Sequence, residues 1–401
     1  MVDYWDKKQN PVTGEQLEEF VRYMRAWSNE DCDVDALISS EYGHKLGELQ
    51  DLAYRWKDPM DPNLLAWYRE HGVKKEMFET EHFYTRWTLL TPLNIEEGKK
   101  YPLVFVNHGG GNYLESEEFS TGFNVLVGRE KFMAAYLQNT NTENIRRILE
   151  QLCKDYPVDT ERVYVAGFSQ GGGKTTDCAF RMPEYFAAHA PCGNDIYRYV
   201  DRWSVPYSAE EHERLRQAFL PFMQVVGCNE HSNIIPLNNW IPARPQAERI
   251  EGDMHTYPSR EGEIDPTRPA DPKHPGGHIE PPEGCDRRMW MVEQLNKRLE
   301  LLDIPPRDPQ ICLGYEQTPE DELHHILGFY GDKEEIQMYY GYKHYTVDIF
   351  NRAGMDAFRY VAVENNPHWP PVMLGELVWA FFRQFRRDTT TGKIVADEYK
   401  T

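Results

Sequence analysis

Long apolar runs are missing from this sequence. No stretch of its 401 residues approaches the ~18 consecutive apolar residues that a membrane-spanning helix needs. The first six residues (MVDYWD) are polar and lack the apolar core of a secretory signal. The sequence therefore predicts a cytoplasmic protein with no membrane partner.

Paired cysteines are missing as well. The seven cysteines are scattered along the chain, odd in number, and no two of them form a C-x-x-C pair. This spacing does not suggest a disulfide framework, and thiols in the cytoplasm are normally reduced. We expect reduced cysteines, most of them buried.

Positive charge is scarce relative to negative charge. Lys and Arg number 44 and Asp and Glu number 65, which gives a net charge of −21. An acidic surface repels nucleic acid and anionic membranes, so neither is expected as a partner. It also mildly disfavours a polyanionic substrate, although solubility is the simpler explanation of the charge.

Signatures of cofactors and metals are absent too. The glycine-rich stretch 108–111 (HGGG) has neither the G-x-G-x-x-G spacing nor the Walker lysine of a nucleotide site. Histidines within or beside one polar segment do not have a standard zinc spacing. They are His231, His255, His274 and His278. The sequence therefore predicts no cofactor and no metal.

Short apolar runs that alternate with helical patterns are present from residue 78 onward. Residues 101–107 (YPLVFVN) are continuously apolar except at the end, which is typical of a buried strand in a mostly parallel sheet. This alternation predicts an α/β protein with a doubly wound, mostly parallel sheet. The predicted strands are 83–91, 101–107, 132–137, 163–166, 186–191, 222–227 and 358–364.

Two segments depart from that alternation. Residues 1–77 are mainly helical and predict an N-terminal extension that packs on the main domain, with dimerisation or a wall of the substrate site as alternative roles. Residues 232–331 form an insertion whose first half is crowded with Pro, Gly, Asp and Glu. Long segments of this kind are usually lids, binding loops or disordered, and we expect a lid or cap. The core would then comprise 78–231 and 332–401.

The stretch 162–174 (RVYVAGFSQGGGK) contains a G-x-S-x-G pattern centred on Ser169. A β-prone run precedes the serine and a potentially helical segment follows, which is the strand-turn-helix context that this pattern needs. Such a turn exposes the hydroxyl group at the sheet edge. An ordinary glycine-rich turn has the same pattern, so the interpretation depends on the rest of the chain.

Acyl transfer also needs amide donors that stabilise an oxyanion. Residues 108–111 (HGGG) directly follow a predicted strand, and glycines let backbone amides approach a ligand without a Cβ in the way. We expect the amides of Gly110 and Gly111, together with that of Gln170, to form an oxyanion hole. A flexible turn is the alternative.

A base and an orienting acid have candidates at two other strand ends. His368 follows the last predicted strand, and Pro367 and Pro370 stiffen its loop. Glu230 follows the 222–227 strand and is the candidate acid, with Asp195 as the alternative. A carboxylate in this position would orient the imidazole and stabilise its protonated form.

These motifs resemble those of the α/β-hydrolase superfamily, and within it the polyhydroxybutyrate depolymerase and feruloyl or acetylxylan esterase branch. The resemblance covers about residues 100–230 and 340–387. It implies an α/β-hydrolase fold in which Ser169 is the nucleophile, His368 the base and Glu230 a replacement for the usual Asp. The motifs that carry it are HGGG at 108–111, VDTERVYVAGFSQGG at 158–172, NPHWP at 366–370 and WAFFRQF at 379–385.

The function predicted from the sequence is cleavage of a carboxylic ester through an acyl-enzyme on Ser169. The expected partner is a small-molecule or oligomeric ester, and a homodimer is an option. Trp240, Trp369 and Tyr113 are candidates for the wall of the substrate pocket, although packing explains them equally well. The alternatives are a serine peptidase of the prolyl-oligopeptidase kind and a non-catalytic binding protein that keeps the fold.

Overall fold

A ten-stranded mixed sheet organises the protein. The computed structural model describes residues 32–56, 58–80, 85–110, 112–138, 141–197, 207–230, 287–314 and 320–400. The strands of the large sheet are β1 (Val73–Thr80), β2 (Thr85–Pro92), β3 (Tyr101–Asn107), β4 (Met133–Leu137), β5 (Val158–Phe168), β6 (Ala188–Cys192), β7 (Phe222–Gly227), β8 (Lys333–Tyr339), β9 (Tyr342–Phe350) and β10 (Asp356–Val363). A separate two-stranded sheet comprises β11 (Phe385–Arg387) and β12 (Ile394–Ala396).

Helices connect these strands and pack against the sheet. Those of the first part of the chain are α1 (Val34–Ser39), α2 (Glu41–Arg55), α3 (Pro62–Glu70), α4 (Leu114–Ser120), α5 (Phe123–Glu130), α6 (Thr142–Asp155) and α7 (Gln170–Arg181). Those of the second part are α8 (Ala209–Ala218), α9 (Arg287–Glu300), α10 (Pro309–Gly314), α11 (Glu322–Leu327) and α12 (Leu374–Phe382).

The sheet has a parallel centre and antiparallel edges. Its strand order is β1-β2-β4-β3-β5-β6-β7-β10-β9-β8. The six central strands, from β4 to β10 in this order, run parallel to one another. At the two edges, β2 is antiparallel to β4 and to β1, and β9 is antiparallel to β10 and to β8. The carboxyl ends of the central strands therefore lie along one rim of the sheet.

Local sequence explains the central elements. All seven residues of β3 are buried, as a strand needs when it is hydrogen-bonded on both sides and covered on both faces. α6 begins at an Asn141 cap whose side chain accepts from the Asn144 amide, and it buries Ile145, Ile148, Leu149 and Leu152. The predicted fold class, an α/β protein with a mostly parallel sheet, is confirmed.

The edges of the sheet differ from the prediction. β1 begins at Val73, inside the segment 1–77 that the sequence suggested was mainly helical. This strand carries Lys74, Glu76 and Glu79 at positions that are not buried, because an edge strand leaves part of its surface to solvent. The hairpin of β8 and β9 was not predicted either, and β8 is mostly exposed for the same reason.

Part of the predicted insertion packs on the sheet. Val292, Leu295 and Leu299 of α9 are buried in one hydrophobic cluster with Phe222 of β7 and Phe358 of β10. This helix lies in the second half of 232–331. The first half of that segment, 232–286, lies outside the described residues, so its role as a lid stays a prediction.

The described cysteines are free thiols, and all except Cys153 are buried. Burial raises the pKa of Cys178 and Cys228 well above the usual range and that of Cys192 to about 12. These three thiols therefore stay protonated and unreactive at neutral pH. Within the described part of the chain, helices long and apolar enough to cross a bilayer are absent.

Candidate active site

Ser169 stands on a sharp turn between β5 and α7. Its φ of 55° and ψ of −120° lie in a region that residues with a Cβ rarely adopt. Asn194 supports this conformation, because its side-chain amide donates to the Ser169 carbonyl oxygen over 2.8 Å. The strained turn places the serine at the carboxyl end of the central strand β5.

Two glycines make the turn possible. A Cβ on Gly171 would lie 2.0 Å from the carbonyl oxygen of Asn107, and a Cβ on Gly167 would lie 2.5 Å from the carbonyl oxygen of Gly171. Both distances are far below normal van der Waals contact. The two glycines of the G-x-S-x-G pattern are therefore required by the close passage of the backbone at the end of β3.

Ser169, His368 and Glu230 form one chain of hydrogen bonds. His368 Nε2 lies 2.8 Å from Ser169 Oγ, and His368 Nδ1 lies 2.5 Å from Glu230 Oε2. Glu230 is fully buried and His368 is 6% exposed. Because a carboxylate only accepts hydrogen bonds, this pairing favours the proton on Nδ1 and leaves Nε2 as the acceptor for the serine hydroxyl.

The strands β7 and β10 bring the acid and the histidine together. Gly227, the last residue of β7, pairs in parallel register with Val363, the last residue of β10. A Cβ on Gly227 would lie 1.9 Å from the carbonyl oxygen of Asn366. The Gly227 amide also donates to Glu230 Oε1 over 3.4 Å. The turn that carries the acid is therefore in direct contact with the loop that carries the histidine.

The loop after β3 lies beside the serine. A Cβ on Gly109 would lie 3.6 Å from the Cβ of Ser169, and a Cβ on Gly110 would lie 3.7 Å from the Cβ of Gln170. The structure thus brings the Gly110 backbone next to the first residue of α7, as the predicted oxyanion hole requires. The third predicted donor, Gly111, lies outside the described residues.

A buried carboxyl group lies close to this loop. Glu117 on α4 is fully buried, and neither of its carboxylate oxygens has a hydrogen-bond partner of good geometry among the described residues. Burial raises the pKa of Glu117 to about 8, although the backbone amide of Gly109 acts in the opposite direction. The side chain is therefore mostly protonated at neutral pH.

Of the other residues predicted for the site, some lie near it and one lies outside the described residues. Asp195, the alternative acid, follows β6 and is partly buried, whereas Glu230 is the carboxylate that bonds to His368 Nδ1. Tyr113 and Trp369 are both 7% exposed, and they lie at the start of α4 and beside His368. Trp240 lies outside the described residues. The pocket roles of the aromatic residues stay predictions.

Several supporting residues were not found from the sequence. Asn194, which bonds to the serine backbone, follows the end of β6 in the same way that Glu230 follows β7. Its position just beyond a predicted strand was the available signal. Tyr42 and Asn366 form a hydrogen bond with each other although they are 324 positions apart. At this separation no local sequence pattern indicates the contact.

Three strand ends of a mostly parallel sheet meet at one rim, and they supply serine, acid and histidine in that chain order. The chain has the α/β-hydrolase fold. Over 136 residues it is 31% identical to a bifunctional acetylxylan esterase/xylanase of Neocallimastix patriciarum. That match covers 31% of this chain and 18% of the relative, and over this stretch the predicted resemblance to acetylxylan esterases is confirmed.

Solved structures with a similar arrangement include esterases. A thermostable esterase gives a TM-score of 0.32 at 18% identity, covering 42% of this chain and 49% of that chain. A feruloyl esterase module of Clostridium thermocellum gives a TM-score of 0.30 at 18% identity, covering 39% of this chain and 66% of that chain. No protein-family model matches the chain. The fold assignment rests on the sheet order and on the turn at Ser169.

Proposed function

We propose that the protein is a serine hydrolase that cleaves carboxylic esters through an acyl-enzyme on Ser169. The observation that carries this proposal is the buried chain of hydrogen bonds from Ser169 through His368 to Glu230, on a strained turn beside a glycine loop. The sequence match to an acetylxylan esterase supports the ester as the substrate class.

In the first half of the reaction Ser169 Oγ attacks the ester carbonyl carbon. His368 Nε2, 2.8 Å from that oxygen, accepts its proton and then donates it to the leaving alcohol. The carbonyl oxygen becomes an oxyanion, which the amides of Gly110 and Gln170 stabilise. Water then attacks the acyl-enzyme with the same histidine as base, and the free acid leaves.

Glu230 supports this chemistry without exchanging a proton with the substrate. Its carboxylate is fully buried and bonds to His368 Nδ1. This bond holds the imidazole in the tautomer that can accept the serine proton, and it stabilises the imidazolium that forms in the transition state. Glutamate has one more methylene group than the aspartate usual in α/β-hydrolases, and the Gly227 amide donates to its Oε1 over 3.4 Å.

A screen of esters would identify the acyl and alcohol groups that the protein accepts. Acetyl, butyryl, feruloyl and hydroxybutyryl esters should be compared with a proline-containing peptide amide, and Ser169→Ala measured in parallel as the background. We expect at least one ester to be cleaved by the wild-type protein alone, at a rate well above that of the amide. Cleavage of the amide in preference to every ester would contradict the proposal, as would equal activity in Ser169→Ala.

A further inference from the structure

The N-terminal helices reach the loop that carries His368. Residues 33–42 contact the loop at three positions, which are Asn365, Asn366 and Val372. These positions lie on both sides of the histidine. The contact therefore spans the whole segment on which the candidate base stands.

Tyr42 on α2 makes the central contacts. Its side chain is fully buried, and its hydroxyl group donates to Asn366 Oδ1 over 2.8 Å. The same hydroxyl oxygen accepts from the Val372 amide over 2.8 Å. The ring is held in place by stacking on Tyr342 of β9, with ring centroids 4.6 Å apart and an angle of 5° between the planes. One hydroxyl group thus joins the two ends of the histidine loop.

Asn366 passes this constraint on to the histidine and the acid. Its side-chain amide donates to the carbonyl oxygens of Pro367 and Trp369, over 2.8 and 2.9 Å, and so closes the backbone around His368. Its own carbonyl oxygen accepts from the Asn229 amide over 3.2 Å. Asn229 is next to Glu230, so Asn366 is hydrogen-bonded to the backbone beside both His368 and Glu230.

Asn365 adds a second attachment to the same helical region. Its side chain accepts from the Asp33 amide over 2.8 Å and donates to the Asp33 carbonyl oxygen over 2.7 Å. Its φ of 47° is left-handed, a conformation that needs support in a residue with a Cβ. The paired hydrogen bonds with Asp33 supply that support.

We propose that Tyr42 is a positioning residue for catalysis, and that the N-terminal helices fix His368 in line with Ser169 through its hydroxyl group. This inference rests on the proposed hydrolase function and goes beyond it by giving a segment outside the hydrolase sheet a part in the reaction. Small displacements of a catalytic base matter, because misplacement by ~1 Å can lower a rate by about 100-fold.

The substitution Tyr42→Phe tests this directly, since it keeps the ring and its stacking and removes both hydrogen bonds. We expect kcat for an aryl acetate to fall by about 10- to 100-fold with KM nearly unchanged, measured well below the melting temperature. The rate of inactivation by a fluorophosphonate, which depends on the activated serine and not on a matching substrate, should fall by a similar factor.

Tyr164→Phe is the matched control. Tyr164 is also fully buried, and its hydroxyl group also donates to a backbone oxygen, that of Phe385 over 2.7 Å. This bond joins β5 to β11 and involves none of the residues of the histidine loop. The control should lower the melting temperature to a comparable extent and leave kcat and the inactivation rate within about twofold of wild type.

A second variant covers the case in which Tyr42→Phe folds poorly. Asn366→Ala removes the other partner of the same hydrogen bond, so it should also lower kcat, and the double variant should lose less than the product of the two factors. Normal kcat in a folded Tyr42→Phe or Asn366→Ala protein would overturn the inference. The hydrolase proposal would stand in that event, provided that Ser169→Ala still abolishes the activity.

Discussion

His368 Nε2 lies 2.8 Å from Ser169 Oγ, although the two residues are 199 positions apart in the chain. The parallel order of the central strands produces this contact, because β5 and β10 end at the same rim of the sheet. The contact puts a hydroxyl oxygen and an imidazole nitrogen within proton-transfer distance.

Glu230→Gln should lower kcat for ester hydrolysis by several orders of magnitude. The amide has nearly the shape of the carboxylate, but it can present an N–H group to His368 Nδ1 and so favours the wrong tautomer. Steady-state kinetics with an aryl ester would measure the loss. Asp195→Asn is the matched control and should remain close to wild type. A small loss of kcat in Glu230→Gln together with a large loss in Asp195→Asn would show that Asp195, and not Glu230, is the orienting acid.

Gly171→Ala should destabilise the protein by at least ~1–3 kcal/mol, because its Cβ would lie 2.0 Å from the Asn107 carbonyl oxygen. Gly314→Ala is the control, since a Cβ on Gly314 meets no atom of the described residues within 4 Å. That second substitution should change stability by less than ~1 kcal/mol, in the stabilising direction expected for alanine in a helix. Urea denaturation of both variants would check the difference, and equal effects would contradict it.

Glu117 should make stability depend on pH. Its pKa is raised from 4.5 to about 8, so between these values the folded protein keeps a proton that the unfolded chain releases. Stability should therefore fall as pH rises from about 5 to 8, and a shift of this size corresponds to several kcal/mol at ~1.4 kcal/mol per pKa unit. Glu117→Gln removes the titrating group. Between pH 5.5 and pH 8.5 the free energy of unfolding of this variant should fall less than that of the wild-type protein. Parallel pH profiles of the two proteins would show that Glu117 does not titrate in this range.

Lys75→Met should destabilise the protein by about 3–5 kcal/mol. Lys75 on β1 and Glu118 on α4 are both fully buried at their side chains, with Lys75 Nζ 2.9 Å from Glu118 Oε1. The substitution leaves a carboxylate without its cation in the interior. Lys45→Met is the control, because Lys45 pairs with an exposed Glu48. The Lys45→Met substitution should lower the free energy of unfolding by less than ~1 kcal/mol, measured by urea denaturation.

Much of the site could be predicted because its residues follow strands with simple patterns. β3, the second half of β5 and β7 are buried, mostly apolar runs in the centre of the sheet, so their ends can be located and the residues beyond them considered together. In this way the sequence predicts Ser169 and Glu230 as candidate site residues. The G-x-S-x-G pattern also has a steric meaning that the structure shows, since Gly167 and Gly171 have no room for a Cβ.

The parts that escaped prediction depend on contacts without a local signal. β1 and β8 are edge strands with charged residues, which weaken the alternation that marks a strand. Lys75 has no local signal of burial, because its partner Glu118 lies 43 positions further along the chain. The bond between Tyr42 and Asn366 joins elements at opposite ends of the chain, so neither residue stands out among the many tyrosines and asparagines.

Covalent labelling by a fluorophosphonate tests the central claim most directly. Trypsin releases residues 163–174 (VYVAGFSQGGGK) as one peptide, in which Ser169 is the single serine. We expect one adduct per chain, located on that peptide by mass spectrometry, no labelling of Ser169→Ala, and much slower labelling of His368→Ala. An adduct elsewhere in the chain, or labelling of Ser169→Ala at the wild-type rate, would contradict it.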